Sequence, residues 1–79
     1  MRSELIAVLD ALDGGKELSG AQIGVAANLS SGSLYPALFK LEAEKRIESR
    51  WEWPVPLPDN PRRRLYRIAR LNLVARHSA

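Results

Sequence analysis

The side chains best suited to chemistry in this chain are cationic and hydroxylic, and they are clustered. Residues 62–79 carry Arg62, Arg63, Arg64, Arg67, Arg70 and Arg76 and no acid, whereas residues 1–61 carry all nine acids against Arg2, Lys16, Lys40, Lys45, Arg46 and Arg50. The formal net charge of +3 understates this asymmetry, which suggests a polyanion-binding surface toward the C-terminal end. A second cluster, Ser30, Ser31 and Ser33, precedes an apolar stripe. Hydroxyls and unpaired amides at the start of a helix suit a phosphate.

Other chemistries lack their parts. There is no cysteine and one histidine, His77, with no second ligand nearby, so neither a disulfide nor a metal site is expected. No glycine-rich phosphate loop and no paired carboxylates stand in a cleft-like context, which argues against an enzyme and against a bound cofactor. The absence of cysteine fits a reducing compartment. No apolar run approaches the roughly 20 residues of a membrane span and no signal pattern opens the chain, so a soluble, cytoplasmic, nucleoid-associated protein is expected. At 79 residues, a single domain over 1–79 is expected, of marginal stability and in want of a partner.

The elements that must position these groups can be read in order. Leu5, Ile6, Leu9 and Leu12 form one stripe of a first helix over 3–13, which Ser3 can cap and Asp13-Gly14-Gly15 stops. Ser19 and Gln22 fit a capping box for a second helix over 19–27, with Ile23, Ala26 and Ala27 inward and Asn28 able to end it in the left-handed conformation. Leu34, Leu38 and Leu41 stripe a third helix over 31–45, and Gly32, Pro36, Phe39, Lys40 and Ala43 project the other way. Pro36 leaves the cap open: with Ser33 it is the third helical residue, and with Ser30 or Ser31 the first turn is irregular.

From Ile47 the period changes to two. Ile47, Ser49, Trp51 and Trp53 fall on one face of a strand over 47–53, with the tryptophans expected as cover for the core. Four prolines between Pro54 and Pro61 make 54–62 a stiff loop, and alternation resumes in an arginine-rich strand over 63–69. Consecutive arginines on a strand point alternately, so Arg62, Arg63 and Arg64 cannot all share one face without a bulge. The fold class is α+β, mainly α: a winged helix-turn-helix of three helices, a two-stranded antiparallel wing and a short C-terminal helical tail over 70–79.

The residues Ser33-Leu34-Tyr35-Pro36-Ala37-Leu38, Leu41-Glu42, Ile47-Glu48-Ser49-Arg50-Trp51-Glu52 and Arg62-Arg63-Arg64-Leu65-Tyr66-Arg67-Ile68 closely resemble the PadR-like family of bacterial transcription regulators. The match covers roughly residues 19–69. The resemblance implies that helix 31–45 enters the major groove of double-stranded DNA and that the wing flanks the adjacent minor groove or backbone. By position it implies a DNA-facing set of Ser31, Ser33, Tyr35, Pro36, Lys40, Arg62, Arg63 and Arg64, with Leu34, Leu38, Leu41, Ile47 and Ile68 in the core. Tyr35 is expected to pack its ring and turn its hydroxyl outward. The family pattern also implies a homodimer on palindromic sites, repression of nearby genes and, in some members, a small-molecule effector. Lys45-Arg46 stands where the family usually has Gly-Leu, and Ala21 where it usually has an aromatic. Two further readings fit the same residues: an architectural or recombination-accessory DNA binder of bacterial or phage type, and a winged helix used for protein contact.

Overall fold

Local signals set both boundaries of the second helix. In the computed structural model, which describes residues 2–53 and 62–69, α1 (Arg2–Ala11), β1 (Leu18–Ser19), α2 (Gly20–Ala27), α3 (Ser31–Ala43), β2 (Ile47–Trp51) and β3 (Arg64–Ile68) follow in that order. Most of the proline loop and the tail over 70–79, His77 included, lie outside the described residues. At the start of α2 the Ser19 hydroxyl accepts the Gln22 N–H at 3.2 Å, and the Gln22 side chain accepts the Ser19 N–H at 2.9 Å. This is the reciprocal capping box read from the sequence. Asn28 ends α2 with φ 56, and Ser30 already holds the N-cap position of α3, with no side-chain cap bond, so the turn between the two helices is three residues long, 28–30. Gly24 permits that close turn, because a Cβ there would lie 3.3 Å from the Leu29 carbonyl oxygen and from Leu34 Cδ2.

Ser30 as the cap settles the position of Pro36, which falls within the helix rather than in its first turn. Proline has no N–H to offer the carbonyl four residues back, here that of Gly32, an exposed residue that water can reach. The first turn is correspondingly tight, with the Ser30 carbonyl accepting from both Ser33 at 3.0 Å and Leu34 at 2.8 Å.

Leu34, Ala37, Leu38 and Leu41 of α3 are buried against Val8 of α1, Leu12 just beyond its end, Ile23 of α2 and Ile47 of β2. Several inward assignments from the sequence differ. Ile6 is 51% exposed and Val8 takes its place, because the buried line of α1 runs through Val8 toward Leu12 in the turn that follows, and Ile6 falls outside that face. Ala26 is exposed, since α2 turns Gly20, Ile23 and Ala27 inward. Ser3 lies within α1 and its hydroxyl donates to Glu4, so it is not the cap. Helix α1 ends at Ala11, two residues short of the expected boundary, and Gly14 and Gly15 continue the turn with φ of 82 and 80.

The sheet has three strands, not two, in the order β1-β3-β2, all antiparallel. Leu18 pairs with Tyr66 and Ser19 with Leu65. A strand of two residues has no periodicity to read, and only its pairing with β3 makes it one. In the β2–β3 ladder Ile47 faces Ile68, Ser49 faces Tyr66 and Trp51 faces Arg64. One sheet face therefore runs from the core outward to the tip of the wing.

The end of α3 carries a strained residue. Lys45 has φ 61, its N–H bonds to the Glu42 carbonyl at 3.0 Å, and the Arg46 N–H reaches the Leu41 carbonyl at 2.9 Å. This pair of bonds is a Schellman cap, whose left-handed position favours glycine. Replacing Lys45 by glycine is expected to stabilise the fold by about 1 kcal/mol, read as a rise in thermal midpoint of roughly 4–8 °C for a domain of this size.

Candidate nucleic-acid interface

Opposite its buried stripe, α3 presents an open face. Ser31, Gly32, Tyr35, Pro36, Phe39, Lys40 and Ala43 are exposed, and Ser33 is half-buried on the flank. Lys40 forms an i,i+4 pair with Glu44 at 3.3 Å, an exposed contact that a stronger anion can replace at little cost. Tyr35 is 51% exposed. Its ring lies across the start of α2, where a Cβ on Gly20 would come within 3.1 Å of the Tyr35 hydroxyl oxygen. The phenolic end of the ring, hydroxyl included, is the part that meets Gly20. Tyr35, Ser19, Gly20, Ala21, Tyr66, Arg63 and Arg64 line a depression of about 210 Å³ between α2, α3 and the wing. The exposed Ala21 leaves this depression open. Burial and the nearby Glu42 carboxylate push the Tyr66 phenol above its ordinary value, so it remains an O–H donor at neutral pH.

The arginine triplet divides among three surroundings. Arg64 begins β3 on the inner sheet face: its Nε donates to Ser49 Oγ at 2.9 Å, and its guanidinium lies 5.1 Å above the Trp51 ring and 3.8 Å from Glu42. Ser49 in turn donates to Glu42. Arg63 takes the opposite side and pairs with Glu52 at 2.7 Å, while the Glu52 N–H donates to the Arg63 carbonyl at 2.8 Å. Arg62 is exposed and has no partner among the described residues. The alternation expected of consecutive arginines thus assigns Arg64 to the junction between wing and helix.

The tryptophans depart from their expected place. Trp51 is 52% and Trp53 70% exposed, because α3 ends at Ala43 and the strand runs on past the core that the helix covers. Trp51 is instead covered by the Arg64 guanidinium, a cation–π contact. Sequence reasoning also passed over the carboxylate partners of the wing arginines. Arg50 pairs with Glu17 at 2.6 Å, and Arg67 with Glu48 at 2.6 Å. The second pair is directly opposed across the ladder, so it could have been found once the strand register was fixed. Glu17, from the loop after α1, could not. Among the described residues no group of carboxylates and histidines is arranged to hold a metal ion, and no helix is long and apolar enough to cross a membrane.

A helix-turn-helix with an open outer helix face, backed by an antiparallel basic hairpin, defines a winged helix-turn-helix protein. Residues 15–71 match the Transcriptional regulator PadR-like family, and the chain belongs to that family of DNA-binding transcriptional regulators. The fold is also similar to solved structures. A PadR family transcription regulator from Clostridium difficile has TM-score 0.72 and 21% identity, over 91% of this chain and 77% of that one. A PadR-like transcription factor from Bacteroides fragilis has TM-score 0.61 and 22% identity, over 100% and 90%. Pex from Synechococcus sp. has TM-score 0.64 and 24% identity, over 100% and 84%. At these identities the likeness concerns the fold alone. Among curated proteins none matches the chain in sequence.

The wing pairs have a pH signature. Guanidinium hydrogen bonds from Arg50 and Arg63 hold the Glu17 and Glu52 carboxyls below the ordinary glutamate value. Their contribution to folding is present above that ordinary value and is lost as pH falls through the lowered folded values. Titration of the carboxyl carbons by NMR is expected to show both glutamates ionising at lower pH than a free glutamate. In Arg63→Ala the Glu52 curve should move up toward the ordinary value and the Glu17 curve should stay.

Proposed function

We propose that the protein represses transcription by docking α3 in the major groove of double-stranded DNA, with the wing gripping the adjacent backbone. The observation that carries this reading is the division of α3 into a fully buried stripe and an uninterrupted exposed face beside the basic wing. Ser31, Ser33, Tyr35, Pro36 and Lys40 face the groove and the phosphates that border it. Arg62 supplies a phosphate contact directly. Arg63 supplies one by exchanging Glu52 for a phosphate, since an exposed ion pair is weak and phosphate binding releases condensed counterions. Arg64 acts as a positioning residue that fixes the wing to α3 through Ser49, Glu42 and Trp51. Occupancy of a promoter by such a domain excludes polymerase, and a homodimer doubles the site into a palindrome with half-sites one helical turn apart. Half-exposed Ile6 on α1 supports a contact between copies through that helix.

Titration of a labelled duplex against salt tests the reading. Each phosphate neutralised adds about 0.9 to the log–log slope, so Arg62→Ala should lower the slope by roughly that amount while leaving the thermal midpoint unchanged. Glu52→Gln should tighten binding to any duplex by freeing Arg63. Binding that is indifferent to salt in all three proteins would exclude a DNA-docking role for the wing. Selection from a random duplex pool, with mass measured in solution, should return a palindrome bound by a dimer. A reporter gene placed behind that site should be switched down.

A further inference from the structure

The outward face of α3 is unusual in what it lacks. The residues opposite the buried stripe are Gly32, Pro36, Phe39 and Ala43, all exposed and none with a hydrogen-bonding side chain. The flank toward the wing holds Tyr35 against Gly20 and Glu42 bonded to Ser49. The other flank holds Ser33 and the Lys40–Glu44 pair. At the centre of the outward arc the Phe39 ring is 78% exposed, and no packing within the described residues accounts for a phenyl group there.

Hydrogen-bonding patterns in the major groove are read by Arg, Lys, Asn, Gln, Asp and Glu, and the groove's one apolar marker is the C5-methyl group of thymine. The central arc of α3 contains none of the first set and consists of groups suited to the second. From the reading that α3 enters the major groove, on which the inference rests, we propose that Phe39 is a specificity-determining residue. Flanked by Pro36 and Ala43, it selects thymine-bearing steps by apolar contact with their methyl groups. At about 1.5 Å per residue the ridge from Pro36 to Ala43 is about 10 Å long, which corresponds to about three base-pair steps at 3.4 Å each. DNA fits this ridge better than a protein partner does. The ridge is convex, one side chain wide and bordered by Lys40 on one side and the basic wing on the other.

The test exchanges thymidine for deoxyuridine, which removes the methyl group and leaves every hydrogen-bonding group in place. A site selected from a random duplex pool is resynthesised with deoxyuridine, and both duplexes are titrated against the wild-type chain and Phe39→Ala. The wild type should bind the deoxyuridine duplex about 3- to 5-fold more weakly for each contacted methyl, the effect of exposing one buried methyl-sized group. Phe39→Ala should bind both duplexes equally, with an unchanged salt slope and thermal midpoint, because the ring is exposed and carries no charge. Phe39→Leu should keep part of the discrimination. Equal binding of both duplexes by the wild type would overturn the proposal, as would full discrimination retained in Phe39→Ala or selected half-sites without thymine. Each of these leaves groove docking intact. No binding to any duplex would overturn the docking reading together with the inference.

Discussion

Burial of the Leu34–Ala37–Leu38–Leu41 stripe of α3 is the constraint on which the other elements are arranged. Val8 reaches it from α1, Leu12 from the turn just after α1, Ile23 from α2 and Ile47 from β2. The stripe fixes the rotation of α3 about its axis. One face being wholly occupied, the opposite face must look outward, and Gly32, Pro36, Phe39 and Ala43 are presented as a consequence. A small core makes this arrangement exacting: a chain of this size buries a modest fraction of its surface, so each of the four side chains is a large share of what holds the fold.

A polar junction extends that order to the wing. Glu42 on α3 accepts from Ser49 on β2, Ser49 accepts from Arg64 on β3, and the Arg64 guanidinium covers Trp51. Three elements are linked through four side chains, all of them in the segments that carry the family resemblance. The Leu-Glu pair and the Ile-Glu-Ser-x-Trp run therefore have a structural account that concerns the angle between helix and hairpin. The basic character of the wing is moderated in the same way. Arg50, Arg63, Arg64 and Arg67 each meet a carboxylate, Glu17, Glu52, Glu42 and Glu48 respectively. Exposed pairs of this kind hold side chains in place in the free protein and yield readily to a stronger anion.

Much of the local structure was legible in the sequence, because its causes are local. The capping box at Ser19 and Gln22, the left-handed Asn28, the leucine stripe and the alternation from Ile47 each depend on neighbours within a turn or two. Where the reading went astray, the deciding partner lay far away in the chain. Ile6 and Val8 both fit a helical stripe until α3 chooses between them. The tryptophans fit the inner face of a strand whose outer half extends beyond the helix meant to cover it. Arg64 is indistinguishable from Arg62 and Arg63 until the register with β2 sets it opposite Trp51.

The sequence by itself determined the helix-turn-helix, the presence of a wing and the family, since periodicity, capping and a contiguous motif are properties of short stretches. Tertiary structure decided the third strand, the exposure of the tryptophans, and the division of the arginines into one that positions the wing and others left at the surface. Those outcomes depend on which side chains meet across the sheet and on where α3 stops. Both follow from packing between segments tens of residues apart, which no local pattern records.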